Sequence, residues 1–323
     1  MDFRVLETIG PDSREMRAYF SEKMNELAER DERIVYLCAD LVGTLSMGSF
    51  LKKFPERGYN VGIAEANMIG VAAGLAATGK IPFCNSFGPF ATRRCFDQVF
   101  LSCAYARLNV KIIGSDPGVT AAFNGGTHMP FEDVGIMRCI PGITIIDPCD
   151  AAQTVWALEE AAKNDGVYYI RTVRKGSTKV YADGSAFEIG KAAKLREGKD
   201  VSILACGILV PEALRAADAL EKEGISARVL DMYSIKPIDR EAVAAAARET
   251  GCIVTAENHN VIGGLASAVS EALGETFPAP VEKVGVMDEF GEVGPEKYLR
   301  ERFHLTSEAI AAAARRAVAR KAK

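Results

Sequence analysis

Short apolar runs alternate with amphipathic stretches along most of this chain. Met16, Phe20, Met24 and Leu27 recur at steps of three or four residues, the period of a buried helix face, with Asp12-Ser13 ahead of them as an N-cap. "RIVYLCADL" then reads as a buried strand ending at Asp40. "KIPFCNSF", "NVKIIGSD", "GITIIDP" and "GVYYIR" read as further strands. A helix is expected over Ala91–Tyr105, and another over Ala151–Lys163 with Asp150 as its N-cap. Short apolar strands alternating with helices imply a largely parallel sheet covered on both faces.

The pattern weakens through "RKGSTKVYADGSAFEIGKAAKLREGKD", which reads as a linker holding one hairpin. A second α/β series follows. Strands "VSILAC", "ARVLDM", "CIVTAE" and "VEKVGV" are separated by helices over Pro211–Glu223, Arg240–Glu249 and Gly264–Leu273. The expected architecture is therefore α/β with two domains, 1–185 and 186–323, each a largely parallel sheet with helices on both faces. In such sheets ligands gather at the carboxyl ends of strands, where Asp40, Ser86-Phe87, Ser115-Asp116 and Arg171 fall. No G-x-G-x-x-G follows a strand and no Walker loop is present, so the usual nucleotide sites lack support.

A length of 323 residues with 48% apolar content suits two ordinary cores. The net charge of −4 and the lack of like-charge blocks, apart from the basic tail Arg315–Lys323, argue against nucleic acid or a membrane surface as partner. That tail lies on an Ala-rich helical pattern and reads as a solvated helix end. The eight cysteines are scattered without a C-x-x-C pair, as expected of a reduced, cytoplasmic chain with buried thiols. The three histidines lack zinc-ligand spacing to any Cys, so no metal is expected on this chain. Neither an apolar leader nor a run long enough to span a bilayer is apparent.

One acidic residue stands out. Glu65 heads "EANMIGVAAGLAA", where Gly70 and Gly74 each cost helix propensity, roughly 1 kcal/mol relative to Ala. Such a helix suits close packing and is expected to be buried on several sides. An acid at its head is favoured by the helix dipole, but once buried it needs a partner or a proton.

"GYNVGIAEANMIGVAAGLAATGKIPFCNSFGPFATRRCFDQV", "GGTHMPFEDVGIMRCIPGITIIDPCDA", "VYYIRTVRKG" and "VTAENHNVIGGLASAVSEAL" together resemble the C-terminal half of transketolases, over nearly the whole chain and in order. The resemblance implies a pyrimidine-binding domain followed by a transketolase C-terminal domain, made as a separate subunit. It implies thiamine diphosphate as cofactor, with Glu65 of the G-I-A-E motif against N1′ of the aminopyrimidine. There the carboxyl shares a proton with the ring nitrogen and prepares the 4′-amine to take the thiazolium C2 proton. Phe87 and Phe90 match residues packing on the pyrimidine; without that context they read as core. Asp40 and Arg93 match residues near the cofactor. Asp97 and Gln98 match too, but helix packing explains them equally well.

On the substrate side, the resemblance assigns His128 to the reacting sugar, Arg171 to a sugar phosphate and Thr44 to a phosphate contact. Arg174 is a neighbouring candidate that reads as a solvated loop position. His259 matches residues that are structural or at interfaces. There are departures. Asp116 stands where a His is expected, Asn124 where an Asp reads the hydroxyl beside the carbonyl, and Met129 where a Gln is expected. They point to an altered preference, including a sugar unphosphorylated on one side.

The family holds the cofactor's diphosphate through Mg²⁺ on a G-D-G motif, which this sequence lacks. A separate diphosphate-binding subunit holding Mg²⁺ is therefore expected, around a homodimer of this chain in an α₂β₂ assembly. The expected activity is transfer of a two-carbon ketol unit between sugars or sugar phosphates. Decarboxylative ligation like that of deoxyxylulose-phosphate synthase and a non-catalytic scaffold remain alternatives.

Overall fold

The structure, a computed structural model, describes residues 1–321. Its strands are β1 (Val5–Pro11), β2 (Ile34–Cys38), β3 (Gly58–Asn60), β4 (Ile81–Phe87), β5 (Lys111–Ser115), β6 (Thr144–Ile146), β7 (Tyr168–Thr172), β8 (Thr178–Tyr181), β9 (Ala193–Arg196), β10 (Val201–Ala205), β11 (Ala227–Asp231), β12 (Ser234–Lys236), β13 (Ile253–Asn260) and β14 (Val281–Val286). Seven form a sheet in the order β12-β6-β7-β5-β4-β2-β3, parallel except for β12. Five form a second sheet, β14-β13-β10-β11-β9, parallel except for β9. The parallel central strands β2, β5, β7, β10 and β11 are buried at every position, as their predominantly apolar sequences favour.

The expected two-domain α/β architecture is borne out. The Ala151–Lys163 helix starts at Asp150, whose side chain accepts a hydrogen bond from Gln153 N. Other local expectations are corrected. The first helix starts at Met16 with no side-chain cap; Asp12 Oδ1 instead accepts from Arg14 N and Tyr19 OH. The expected helix over Ala91–Tyr105 is broken into short turns, ending in a π-helical stretch, Val99–Tyr105. The weak central segment forms no local hairpin. Its β8 pairs antiparallel with β1, which the sequence pattern did not show. This segment is also anchored by Phe187, whose ring lies 4.8, 5.2 and 5.3 Å from those of Tyr181, Tyr233 and Trp156. Edge contacts of this kind contribute about 0.5–1.5 kcal/mol each beyond area burial. The basic tail forms the end of the Ser307–Lys321 helix, with Arg315 paired to Glu223, and Arg316 and Arg320 paired to Glu282. Positions 322 and 323 of that tail lie outside the described residues.

The Glu65–Ala77 helix is not buried on several sides within one chain. Gly70, Val71 and Gly74 face outward, and a Cβ at either glycine would meet nothing within 4 Å.

The two halves are bolted together. Strand β12, from the second half, completes the edge of the first sheet beside β6. At the end of β13, Asn260 N donates to Phe131 O, and His259 Nε2 accepts from Gly135 N. Arg138 Nη1 donates to Gly263 O at 2.7 Å.

Candidate active site

Strand order reverses between β2 and β4: the chain runs outward to β3, then returns to the other side of β2. A crevice opens at the carboxyl ends of strands at such a reversal. The segment after β3 delivers Glu65 there, β4 delivers Ser86 and Phe87, and β5 and β7 lead to Asp116 and Arg174.

Glu65 is only 2% exposed at the first position of its helix. Its Oε1 accepts from Ser86 Oγ at 3.1 Å and its Oε2 from Arg94 Nη1 at 2.8 Å. The Arg94 side chain is 44% exposed, and its guanidinium lies 3.8 Å from the Phe90 ring centroid. Phe87 and Phe90 have centroids 6.3 Å apart, and His128 stands edge-on to both, at 5.4 and 5.0 Å. A buried carboxylate beside aromatic walls, with a flat cation on one of them, matches the donor set that a planar heteroaromatic ring requires. His128 shares a hydrogen bond with Thr127 Oγ1 through Nδ1. Partial burial, then the nearby Arg94 and Arg174 charges, push its pKa down, which favours the neutral imidazole.

Asp116 lies just past β5 with φ +55°. Its Oδ1 accepts from Arg174 Nε at 2.8 Å, while its buried Oδ2 has no partner among the described residues. Burial raises this carboxyl from its usual 3.8 to about 6 despite the opposing pull of Arg174. The Arg174 guanidinium lies 5.3 Å from the Phe87 ring centroid. Asn124 Nδ2 is likewise buried and unpartnered among the described residues. Asp116, Asn124 and Arg174 share a recess of about 200 Å³ with Phe123, Pro295 and Glu296.

Asp40 stands exposed on the rim, its Oδ1 accepting from Asn60 Nδ2 at 3.3 Å. Thr44 is buried in the following turn. No hydrogen bond joins either to Glu65 or Asp116 among the described residues.

Two expected roles are corrected. Arg171 does not face a substrate. Its side chain is 1% exposed; Nε and Nη2 bind Asp133, Nη1 binds Asp147, and Nη2 also donates to Asn258 O. Its position within β7 directs it into the joint between the domains, whereas Arg174, beyond the strand end, reaches the crevice. Arg93 does not reach Glu65 either. Its guanidinium bonds Glu132 Oε1 at 2.8 Å on an exposed flank, and its neighbour Arg94 faces Glu65. The Arg93–Cys95 stretch is a tight 3₁₀ turn, in which adjacent side chains diverge by about 120°. In the sequence "TRR" nothing distinguishes the two arginines. His259, by contrast, is buried at the joint as a structural group.

The transketolase pyrimidine-binding domain model matches residues 12–178, and the transketolase C-terminal domain model matches residues 190–310. The chain belongs to the transketolase family. This transketolase-family chain is 53% identical over 306 residues to the 6-deoxy-6-sulfo-D-fructose transketolase subunit SqwH of Clostridium sp. strain MSTE9, covering 95% of each chain. It is 40% identical over 299 residues to a putative transketolase C-terminal section of Methanocaldococcus jannaschii, covering 92% of this chain and 94% of that one. Among solved structures it is similar to a split-gene transketolase described as an inactive β4 tetramer, with TM-score 0.87 and 44% identity over 95% of this chain and 99% of that one.

The resemblance drawn from the sequence, the fold class and the transferase class are thus borne out. Family membership implies dependence on thiamine diphosphate. Among the described residues, no group of three His, Cys, Asp or Glu side chains is disposed to hold a metal ion. No helix among them is long and apolar enough to cross a membrane.

Proposed function

We propose that this transketolase subunit is the pyrimidine-binding partner in a two-chain enzyme that moves a two-carbon ketol unit from a sulfonated ketose to an aldose. The observation carrying the ketol-transfer reading is Glu65, buried beside Phe87, Phe90 and His128 at the strand-order reversal. These residues would hold the aminopyrimidine of thiamine diphosphate: Glu65 at the ring nitrogen, with Phe87 and Phe90, set edge-on to each other, as apolar walls beside it. When bound, the cofactor supplies a nucleophilic carbon and an electron sink for cleaving the bond beside a ketose carbonyl. Glu65 holds or releases a proton at the ring nitrogen as that carbon is prepared. Ser86 keeps the carboxyl oriented, and the aromatic walls keep water from it. His128, neutral, can accept or donate a proton at a substrate oxygen.

The likeness to the sulfo-fructose subunit supports a sulfonated donor. Arg174 offers guanidinium donors beyond its bond to Asp116, in keeping with an anionic sugar terminus. Asp116 and Asn124 contribute an acceptor and a donor that suit sugar hydroxyls. Asp40, on the rim, stands where the cofactor and a second chain would approach, with Thr44 buried in the turn behind it.

The diphosphate and Mg²⁺ belong to a separate subunit in this reading. The open face carrying Gly70, Val71 and Gly74 fits a homodimer core, giving an α₂β₂ enzyme with a domain boundary near residue 185. Eight free cysteines, seven of them buried, suit a cytoplasmic setting.

The test uses the complex isolated through a tag on this chain, supplied with thiamine diphosphate and Mg²⁺. With 6-deoxy-6-sulfo-D-fructose and an aldose phosphate, a four-carbon sulfo-aldose should accumulate. Faster turnover of xylulose 5-phosphate than of the sulfo-ketose would reject the sulfonated donor. Carbon dioxide release from pyruvate would instead favour the ligation chemistry.

A further inference from the structure

The loop after β5 carries the recess that faces the substrate, and its backbone is strained. Asp116, Gly118 and Ala122 have φ of +55°, +52° and +48°. Positive φ at non-glycine residues costs of order 1–3 kcal/mol each and persists only where the surroundings enforce it. Thr172 O accepts from Asp116 N within the first domain, and a second hold on this loop comes from the other domain. Asn258, on β13 and 1% exposed, accepts from Val119 N through Oδ1 at 3.0 Å and donates to Pro117 O through Nδ2 at 2.8 Å. Its amide thus pairs with the loop as a neighbouring strand would, spanning the single residue Gly118. A Cβ on Gly118 would sit 2.1 Å from Asn258 Oδ1. The clamp is itself fixed, because Asn258 O accepts from Arg171, which is locked between Asp133 and Asp147.

We propose that Asn258 is a positioning residue for the sugar: through the Pro117–Val119 backbone it sets where Asp116 and Asn124 meet the substrate. Substrate preference is then determined across the domain boundary, which gives the C-terminal domain a role in the reaction without contact to the reacting atoms. This rests on the ketol-transfer reading above. The chemistry demands an amide at 258. One atom must accept from an N–H and the other must donate to a carbonyl; an ionised carboxylate satisfies only the first.

The experiment compares Asn258→Asp, Gly118→Ala and Arg138→Ala with wild type at pH 8. Arg138→Ala removes a different tie across the same boundary. In the chain itself, amide hydrogen exchange over 117–124 should rise in the first two variants and not in the third. In the tagged complex, KM for the sulfo-ketose should rise roughly 3- to 10-fold, as for loss of one hydrogen bond, with kcat within about twofold. Exchange of the cofactor C2 proton should be unchanged in all three. The proposal is overturned if Asn258→Asp and Gly118→Ala leave KM unchanged, or if Arg138→Ala raises it equally. Gly118→Ala attacks the clamp from the loop side and decides the matter should Asn258→Asp not fold. A wild-type complex showing neither C2 exchange nor ketol transfer would remove the functional reading, and amide exchange would then decide the clamp alone.

Discussion

Two of the buried carboxylate–guanidinium clusters among the described residues differ in one respect. At the domain joint, Arg171, Asp133 and Asp147 have side chains 1%, 0% and 4% exposed; Arg171 binds both acids and Asn258 O, and Asp133 also accepts from Tyr169 OH. In the crevice, Glu65 is as deeply buried, but its arginine is 44% exposed and rests on an aromatic face. Burial of an acid therefore does not mark the functional site. What sets the proposed site apart is a counter-ion open to solvent. Taking two charges from water is repaid only by a complete set of partners, so the joint cluster is committed to structure. The crevice carboxylate has a partially exposed partner, which suits the proposed contact to a ring nitrogen.

The largest effect that could break this contrast concerns Glu65. Glu65→Gln should lower turnover of the complex by roughly 100- to 10,000-fold, the range for losing a positioned proton-transfer group, with melting little changed. Next comes stability. Arg171→Met strands two buried carboxylates and should cost about 3–5 kcal/mol in urea unfolding. Arg94→Met strands only one buried carboxylate, which keeps its bond from Ser86, and should cost less, about 1–3 kcal/mol. Equal losses would erase the distinction between the clusters.

A third test sharpens the electrostatics of the recess. Asp116 has a folded-state pKa of about 6 against an unfolded 3.8, so between these values the folded chain binds the extra proton. Its contribution is present below pH 3.8 and lost as pH rises through 6. Relative to Asp116→Asn, wild type should therefore lose up to about 3 kcal/mol across that window, with no further change above pH 7. The opposite slope would mean that Arg174 outweighs burial. The smallest effect is expected at Arg93: Arg93→Ala should leave kcat/KM and stability within about 0.5 kcal/mol of wild type.

How far the sequence carried the reading depended on range. The parallel strands announced themselves because burial on both faces favours apolar runs without alternation, as in "IVYLC". Strand β1 did not, since its mixed exposure leaves no clean period and its partner β8 lies far along the chain. Glu65 was legible as a lone acid in an apolar run. Arg171 and Arg174 were not separable, because their roles turn on strand pleat and on a joint built by residues from the other domain. Arg93 and Arg94 differ only by one step around a tight turn. Asn258 carried no local signal, since its amide serves a loop from the opposite half of the sequence.

The most direct measurement is exchange of the thiamine diphosphate C2 proton, followed by NMR in the tagged complex with Mg²⁺, for wild type and Glu65→Gln. The account predicts exchange slowed by orders of magnitude in Glu65→Gln, with the cofactor still bound. Wild-type exchange in that variant would contradict it, since the buried carboxylate would then be structural like the cluster at the joint.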